Sequence, residues 1–163
     1  MIGLALVLGA ALSAAAAAPA TPPVCRADTI QQALVAAKKL TPDDVRNGEV
    51  VDLIRCGDVT ADGIRDAVFT VASGGTAGDT RFGVLRGSKT GRPRLILYKH
   101  GYKVGIDRRT SRAFEVLQPH YGPNDPNCCP SSFRQTRYTW TGTTFKAGKP
   151  KKLATAPRRF YRP

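Results

Sequence analysis

Three aspartates stand within nine residues, at a spacing that suits a calcium ion. In a calcium-binding loop, oxygen ligands come from positions one, three, five, seven and nine, with a backbone carbonyl at position seven. Counted from the first aspartate, these positions are Asp58, Thr60, Asp62, Ile64 and Asp66. Gly63 occupies position six, where glycine permits the sharp turn. The spacing therefore predicts a calcium-type loop.

The ligand set of this loop is incomplete. Thr60 supplies a hydroxyl at position three, and Phe69 stands at position twelve, where an EF-hand carries a bidentate glutamate, so an EF-hand is excluded. Three carboxylates and one hydroxyl predict weak calcium binding, at about 10⁻⁴–10⁻³ M. The alternative interpretation is a tight turn without metal, held by hydrogen bonds from aspartate side chains to the backbone.

Residues 54–73 resemble a single repeat of the FG-GAP or VCBS type. The likeness rests on Asp58, the Asp62-Gly63 pair and Asp66, followed directly by the strand-like residues 67–72. This resemblance implies a calcium loop between two β-strands. A second segment, 123–145, is similar to the C-terminal end of small secreted bacterial proteins of the LppP/LprE lipoprotein group, and that likeness implies no chemistry.

The four cysteines predict one long disulfide. They are Cys25, Cys56, Cys128 and Cys129. A Cys25–Cys56 bridge would close a loop of about 30 residues and contribute roughly 3–4 kcal/mol. The adjacent pair is then either bridged to itself, with some strain, or reduced. A pairing of each early cysteine with a late one stays open. No CxxC motif is present, which disfavours redox catalysis and structural zinc.

Other chemistry-bearing residues are sparse. His100 and His120 are the only histidines, and neither stands in a metalloprotease or nucleophile-elbow motif. The glycine-rich segment 73–79 is followed by a strand pattern, so it predicts a hairpin turn and not a phosphate-binding loop. Asp79, at the end of that turn, could approach the Asp58 loop if the two turns share a sheet edge.

The first twenty residues predict a signal peptide. An apolar run over 2–12 is followed by small residues that suit cleavage after Ala18 or Ala20. The run is shorter than the roughly 20 residues that span a bilayer, which disfavours a membrane anchor. We therefore expect a secreted or cell-envelope protein whose fold begins near residue 21.

The patterns after the leader predict an α+β fold. Apolar spacing of three and four residues indicates a helix over 29–40, and Thr41-Pro42 begins a second, short turn that Gly48 ends. Strand patterns then follow at 50–54, 67–72, 82–85, 95–98, 104–106, 113–117 and 134–140, with a short one possible at 144–146. We expect one domain over 21–145, in which the N-terminal helix packs on an antiparallel β-meander of about seven strands.

Positive charge is concentrated in the later half. The formal net charge is +13, yet the residues before 81 sum to −3 and those from 81 onward to +16. Basic residues in or beside the strands are Arg92, Arg94, Lys99, Lys103, Arg108, Arg109, Arg112, Arg134 and Arg137. Interleaved aromatics are Tyr98, Tyr102, Tyr121, Tyr138 and Trp140. This pattern suits a polyanion if these residues share one face, and residues 146–163 read as a basic, mobile tail.

Together these features favour an exported, non-enzymatic binding module. For an exported chain, anionic envelope polymers or acidic lipid headgroups are favoured over nucleic acid as partners. One alternative is a small metal-dependent hydrolase centred on Asp58, Asp62 and Asp66, which would need His100 or His120 nearby as a base. Another is a purely structural envelope protein. An ordinary solvated basic surface explains the charge equally well.

Overall fold

The computed structural model describes residues 23–162, so the predicted signal peptide over 1–20 lies outside the described residues. Two α-helices, α1 (Ala27–Ala36) and α2 (Pro42–Arg46), precede the strands, and short 3-10 helices cover Pro23–Cys25 and Arg158–Phe160. The strands are β1 (Val51–Gly57), β2 (Asp66–Ala72), β3 (Asp79–Arg86), β4 (Arg94–His100), β5 (Gly105–Thr110), β6 (Ala113–His120), β7 (Ser132–Trp140), β8 (Phe145–Ala147) and β9 (Lys151–Leu153). The predicted α+β class is confirmed.

A capping box begins α2, and residues with positive φ follow the ends of both helices. α1 starts two residues earlier than predicted and stops at Ala36, and Lys38, with φ at 55°, takes the chain out of the helix. In α2 the Thr41 hydroxyl accepts from the Asp44 N–H while the Asp44 side chain accepts from the Thr41 N–H, a capping box. Gly48 leaves α2 with φ at 91°, a conformation that suits glycine. Within residues 23–162 no helix has the length and apolar character needed to cross a membrane.

The strands form two antiparallel sheets rather than one meander. The first has the order β1-β2-β3-β4, and the second has β5-β6-β7-β8, with β9 also paired to β7. The predicted single meander of about seven strands is therefore wrong in this detail. After β4 the chain passes through the connection 101–104 and begins a new sheet, so β4 and β5 do not pair.

The first sheet is buried on both faces. On one face Val68 and Val84 pack against Ile106 and Val116 of the second sheet. On the other face lie Phe69, Val71 and Leu85, which pack with Ile30 and Leu34 of α1. The order of layers is therefore helix, first sheet, second sheet. This double burial explains why β2 is apolar almost without alternation.

The basic segment after β8 packs on the second sheet. In β9, Leu153 lies opposite Phe133 of β7. Phe160 is fully buried, and Arg159 lies 2.7 Å from Asp107 of β5. The prediction of a mobile tail over 146–163 is therefore corrected for the described residues up to 162. One aromatic ring and one strand pairing anchor a segment whose charge alone suggests mobility.

Candidate functional site

Asp66, the last residue of the predicted calcium loop, is fully buried and accepts four hydrogen bonds. Its Oδ2 accepts from the backbone N–H groups of Val59 and Thr60 and from the Thr60 hydroxyl, each at 3.0 Å. Its Oδ1 accepts from the backbone N–H of Gly87 at 3.0 Å. Burial raises the pKa of Asp66, and these hydrogen bonds oppose the shift. The carboxylate ties the loop to the connection after β3.

Asp58 and Asp62 hold the loop in a turn. The two Asp58 oxygens accept from the backbone N–H groups of Asp62 and Gly63, at 3.1 and 2.9 Å. Asp62 Oδ1 accepts from the N–H of Ile64, and its Oδ2 accepts two hydrogen bonds from Arg86, at 2.9 and 2.7 Å. Burial alone would raise the pKa of Asp62, but Arg86 and Ile64 outweigh it and hold the pKa below its usual value. This is the hydrogen-bonded turn of the alternative interpretation.

Calcium binding stays a prediction, since hydrogen bonds within the loop occupy the predicted ligands in this structure. Calcium needs several oxygens with lone pairs turned to one point. Here part of the lone-pair capacity of each carboxylate is taken by N–H groups. The Thr60 hydroxyl, in turn, donates to Asp66. Across residues 23–162, no group of three or more His, Cys, Asp or Glu side chains is placed to hold a metal ion. Hydrogen bonds account for the shape of the loop.

The strand register separates both histidines from this loop. His100 lies opposite Arg81, and Arg81 lies opposite Val71, five residues along β2 from Asp66. At about 3.3 Å per residue this separation is roughly 16 Å. His120 ends β6, and its neighbours Pro119 and Tyr121 line a cleft with Asp52 and Asp79, which stand near the starts of β1 and β3, whereas Asp58 follows the end of β1. The predicted metal-dependent hydrolase therefore finds no histidine base at the Asp58 loop.

All four cysteines form disulfides. Cys25 is bonded to Cys56, as predicted, with their Cα atoms 5.9 Å apart, and this bond attaches the N-terminal 3-10 helix to β1. Cys128 is bonded to Cys129, which is one of the two states that the sequence leaves open. Asp125 supports their loop, because its Oδ2 accepts from the backbone N–H groups of Gly122 and Ser131 at 2.7 and 2.6 Å.

The predicted basic face is divided between the two sheets. Arg94 and Lys99 lie on β4 of the first sheet, whereas Arg134 and Arg137 lie on β7 of the second. The one-face prediction is therefore corrected, because alternation within a strand says nothing about which sheet the strand joins. Arg108 is half-buried, and its guanidinium occupies the space that a side chain at Gly57 would need.

The predicted aromatic residues have two different roles. Tyr138 and Trp140 are 8% and 9% exposed and belong to the core between the sheets, so they do not form part of an exposed face. Tyr102 and Tyr121 flank Lys103, whose Nζ lies 5.3 and 5.8 Å from their ring centroids. Two of the predicted aromatics therefore stabilise the fold, and two surround a single lysine.

A smaller basic surface lies along the outer strands of the second sheet. β8 and β9 both pair with β7, one after the other along its length. Six exposed cations stand on these strands and their connection, and we call them the β7–β9 patch: Arg134, Arg137, Lys146, Lys149, Lys151 and Lys152. The whole patch follows Asp125, after which the chain contains no acidic residue.

Asp52 and Asp79 form a carboxyl pair that the sequence analysis missed. Asp79 is 8% exposed, and the Thr70 hydroxyl donates to its Oδ2 at 2.5 Å. Thr70 in turn accepts from the Leu53 N–H at 3.0 Å. Burial, followed by the charge of Asp52, raises the pKa of Asp79 to about 6, against the opposing hydrogen bond from Thr70. Asp79 therefore holds its proton to a higher pH than an ordinary aspartate does.

The antiparallel pairing of the first three strands brings these two aspartates together. β1 and β3 both pair antiparallel with β2, so their first residues meet at the same end of the sheet. Asp52 and Asp79 both stand near those starts. Asp58 follows the end of β1, so it lies at the opposite end of the strands from Asp79. The predicted approach of Asp79 to the Asp58 loop is therefore wrong.

Comparison of the chain with protein-family models, curated proteins and solved structures found no match. The resemblances to FG-GAP or VCBS repeats and to LppP/LprE lipoproteins therefore stay predictions. Function has to be argued from the residues of the chain itself.

Proposed function

We propose that the protein is an exported, non-enzymatic binding module that holds anionic polymers of the cell envelope on the β7–β9 patch. The observation that carries the proposal is a set of six exposed cations without ion pairs to acidic residues of the described chain. Arg137, Lys146 and Lys151 stand at positions of one face of this sheet and Arg134 and Lys152 at positions of the other. A polyanion that follows the outer edge formed by β8 and β9 therefore meets cations on both faces.

The strand register supports this proposal because it brings like charges together. Arg134 lies directly opposite Lys152 on one face, whereas Lys151, opposite Gln135, belongs to the other face of the same edge. Like charges opposite one another on a sheet destabilise it by some tenths of a kcal/mol, so a polyanion that neutralises them would gain that energy. Glu115 lies opposite Arg137, but Arg159 approaches its carboxylate to 3.6 Å from the neighbouring 3-10 helix.

Binding to an anionic polysaccharide tests this function. Dextran sulfate is titrated against the purified protein at low salt and again at higher ionic strength, with neutral dextran as the reference. We expect affinity for the anionic polymer alone, and a steep loss with salt, since exposed charges are screened beyond about 10 Å at 0.1 M. Vesicles containing an acidic lipid form a parallel arm, and binding to vesicles alone would contradict the polymer proposal.

A matched pair of variants separates the patch from the overall charge. One variant changes four lysines of the patch to glutamine: Lys146, Lys149, Lys151 and Lys152. The control changes four exposed cations elsewhere to glutamine: Lys39, Lys89, Arg92 and Lys99. Both lose the same net charge, and we expect at least tenfold weaker binding only in the patch variant. Equal losses would show that net charge, and not this surface, attracts the polymer.

A further inference from the structure

A cleft of about 500 Å³ opens where the first sheet, the cysteine loop and the C-terminal segment meet. This volume lies within the range of about 300–1,000 Å³ that is usual for small-molecule sites. Its polar end carries Asp52 and Asp79, and its remaining wall includes Tyr121, Phe133 and Tyr161. The cleft is separate from the β7–β9 patch and has no part in the function proposed above.

Hydrogen bonds to its side chain and backbone fix the position of Asp79 at the polar end of the cleft. Asp79 Oδ2 is held by Thr70, while no donor of the described chain reaches its Oδ1. The backbone carbonyl of Asp79 accepts from the N–H of Val104 at 2.9 Å, which connects the two sheets at this point. A carboxylate that is more than nine-tenths buried, lines a cleft and keeps one oxygen without a donor is suited to accept from a ligand.

The charge of the cleft disfavours an anionic ligand. Lys103 is the single cation on its lining, and its Nζ already donates to the Tyr121 hydroxyl at 3.2 Å and to the Asn127 carbonyl at 2.7 Å. An anion would find two carboxyl groups and a lysine that is already hydrogen-bonded. A cationic ligand would be attracted by the two carboxyl groups but would also meet Lys103, whereas a neutral ligand needs no counter-charge. The pair of carboxyl groups instead suits hydroxyl donors.

The walls of the cleft favour a ligand with one apolar face. The rings of Tyr121, Phe133 and Tyr161 line it, and Tyr161 is held there because its hydroxyl donates to the Lys103 carbonyl at 3.0 Å. Burial, followed by the charge of Asp79, raises the pKa of Tyr161 to about 12, so this hydroxyl stays a donor. The bonded pair Cys128–Cys129 holds the rim, where Cys128 contributes to the lining.

We infer that the cleft binds a neutral sugar ring of a glycan. Neighbouring ring hydroxyls donate to Asp52 and Asp79, and the C–H face of the ring packs on the aromatic wall. A pyranose combines these two surfaces in one small molecule.

Saturation-transfer NMR with neutral methyl pyranosides tests this inference. The probes are the methyl glycosides of glucose, galactose, mannose and N-acetylglucosamine, with tetramethylammonium and acetate as the cationic and anionic references. We expect transfer to at least one pyranoside and to neither ion. Transfer to no pyranoside, or to tetramethylammonium or acetate instead, would overturn the inference.

Two variants and one control locate the binding. Asp52 is exposed, so Asp52→Asn leaves the fold intact, and we expect about tenfold weaker binding because a charged acceptor is lost. Asp79→Asn should weaken binding similarly. The control Asp28→Asn removes an exposed carboxylate from α1 and should bind like wild type. Unchanged binding in both cleft variants would place the sugar elsewhere and reject the inference, and the dextran sulfate assay would be unaffected.

Discussion

Replacement of Asp66 by alanine is expected to destabilise the protein by about 3 kcal/mol. The change removes the acceptor of four hydrogen bonds. The N–H groups of Val59 and Thr60, which are 0% and 4% exposed, would stay buried without a partner, at roughly 1–3 kcal/mol each. Water can reach Gly87, and the Thr60 hydroxyl can rotate, so they add little. The removal of a buried charge, reflected in the raised pKa of Asp66, offsets part of the loss.

Asp58→Ala is the matched control for this prediction. Asp58 also accepts from two backbone N–H groups, but one of these hydrogen bonds is exposed and the other is only partly buried, so water can replace it. We expect a loss of about 1 kcal/mol or less. For a domain of this size 1 kcal/mol shifts Tm by roughly 3–5 °C, which gives about 10 °C for Asp66→Ala and a few degrees for Asp58→Ala.

Thermal unfolding followed by circular dichroism measures both losses, with EDTA and again with millimolar calcium. The hydrogen-bond account predicts that calcium leaves every Tm unchanged and that the Asp66 variant is by far the less stable. The metal account predicts the reverse: calcium raises the Tm of wild type, and each aspartate variant abolishes that rise. A calcium-dependent rise, or equal losses in the two variants, would refute our interpretation of the loop.

Three further predictions concern other parts of the fold. Because the pKa of Asp79 is about 6, above its ordinary value, folding takes up a proton there between about pH 4 and 6. Stability from this group therefore falls as pH rises through 6; Asp79→Asn should raise the Tm at pH 8 and flatten this dependence, and an unchanged profile would contradict the assignment. Replacement of Cys25 and Cys56 by serine should cost roughly 3–4 kcal/mol, measured as a lower urea midpoint. Phe160→Ala should cost about 3–5 kcal/mol if the C-terminal segment is as firmly packed as described, and a mobile segment would show almost no loss.

Much of the fold could be predicted because local patterns agree with the tertiary structure. The strand patterns overlap β1 to β8, with three of them beginning one residue early, and the Thr41 cap begins α2, since alternation and capping depend on neighbouring residues. The Cys25–Cys56 bond was predicted because adjacent cysteines leave few other pairings. The division into two sheets could not be predicted, because no residue pattern in the connection 101–104 indicates whether the next strand pairs with β4 or begins a new sheet.

The missed features depend on contacts between residues that are distant in sequence. Asp52 and Asp79 are paired only through β2, so no local spacing indicates them. The Asp58 loop was recognised by its spacing, but spacing does not say whether carboxylates face a cation or backbone N–H groups. Phe160 stands in a strongly basic segment, where a single aromatic residue gives too weak a pattern to predict burial.

Arg55 of β1 is joined to the C-terminal segment by two hydrogen bonds, one of them to the carbonyl of Arg162. The Arg55 guanidinium donates to the carbonyl of Arg159 at 3.2 Å, across 104 residues. Because the entropic cost of closing a loop grows with its length, we expect the hairpins to form first and this contact to form among the last. Tyr161 then completes the wall of the cleft, so this wall forms only after the C-terminal segment has packed. In the exported, sugar-binding protein that we propose, ligand recognition begins only when folding ends.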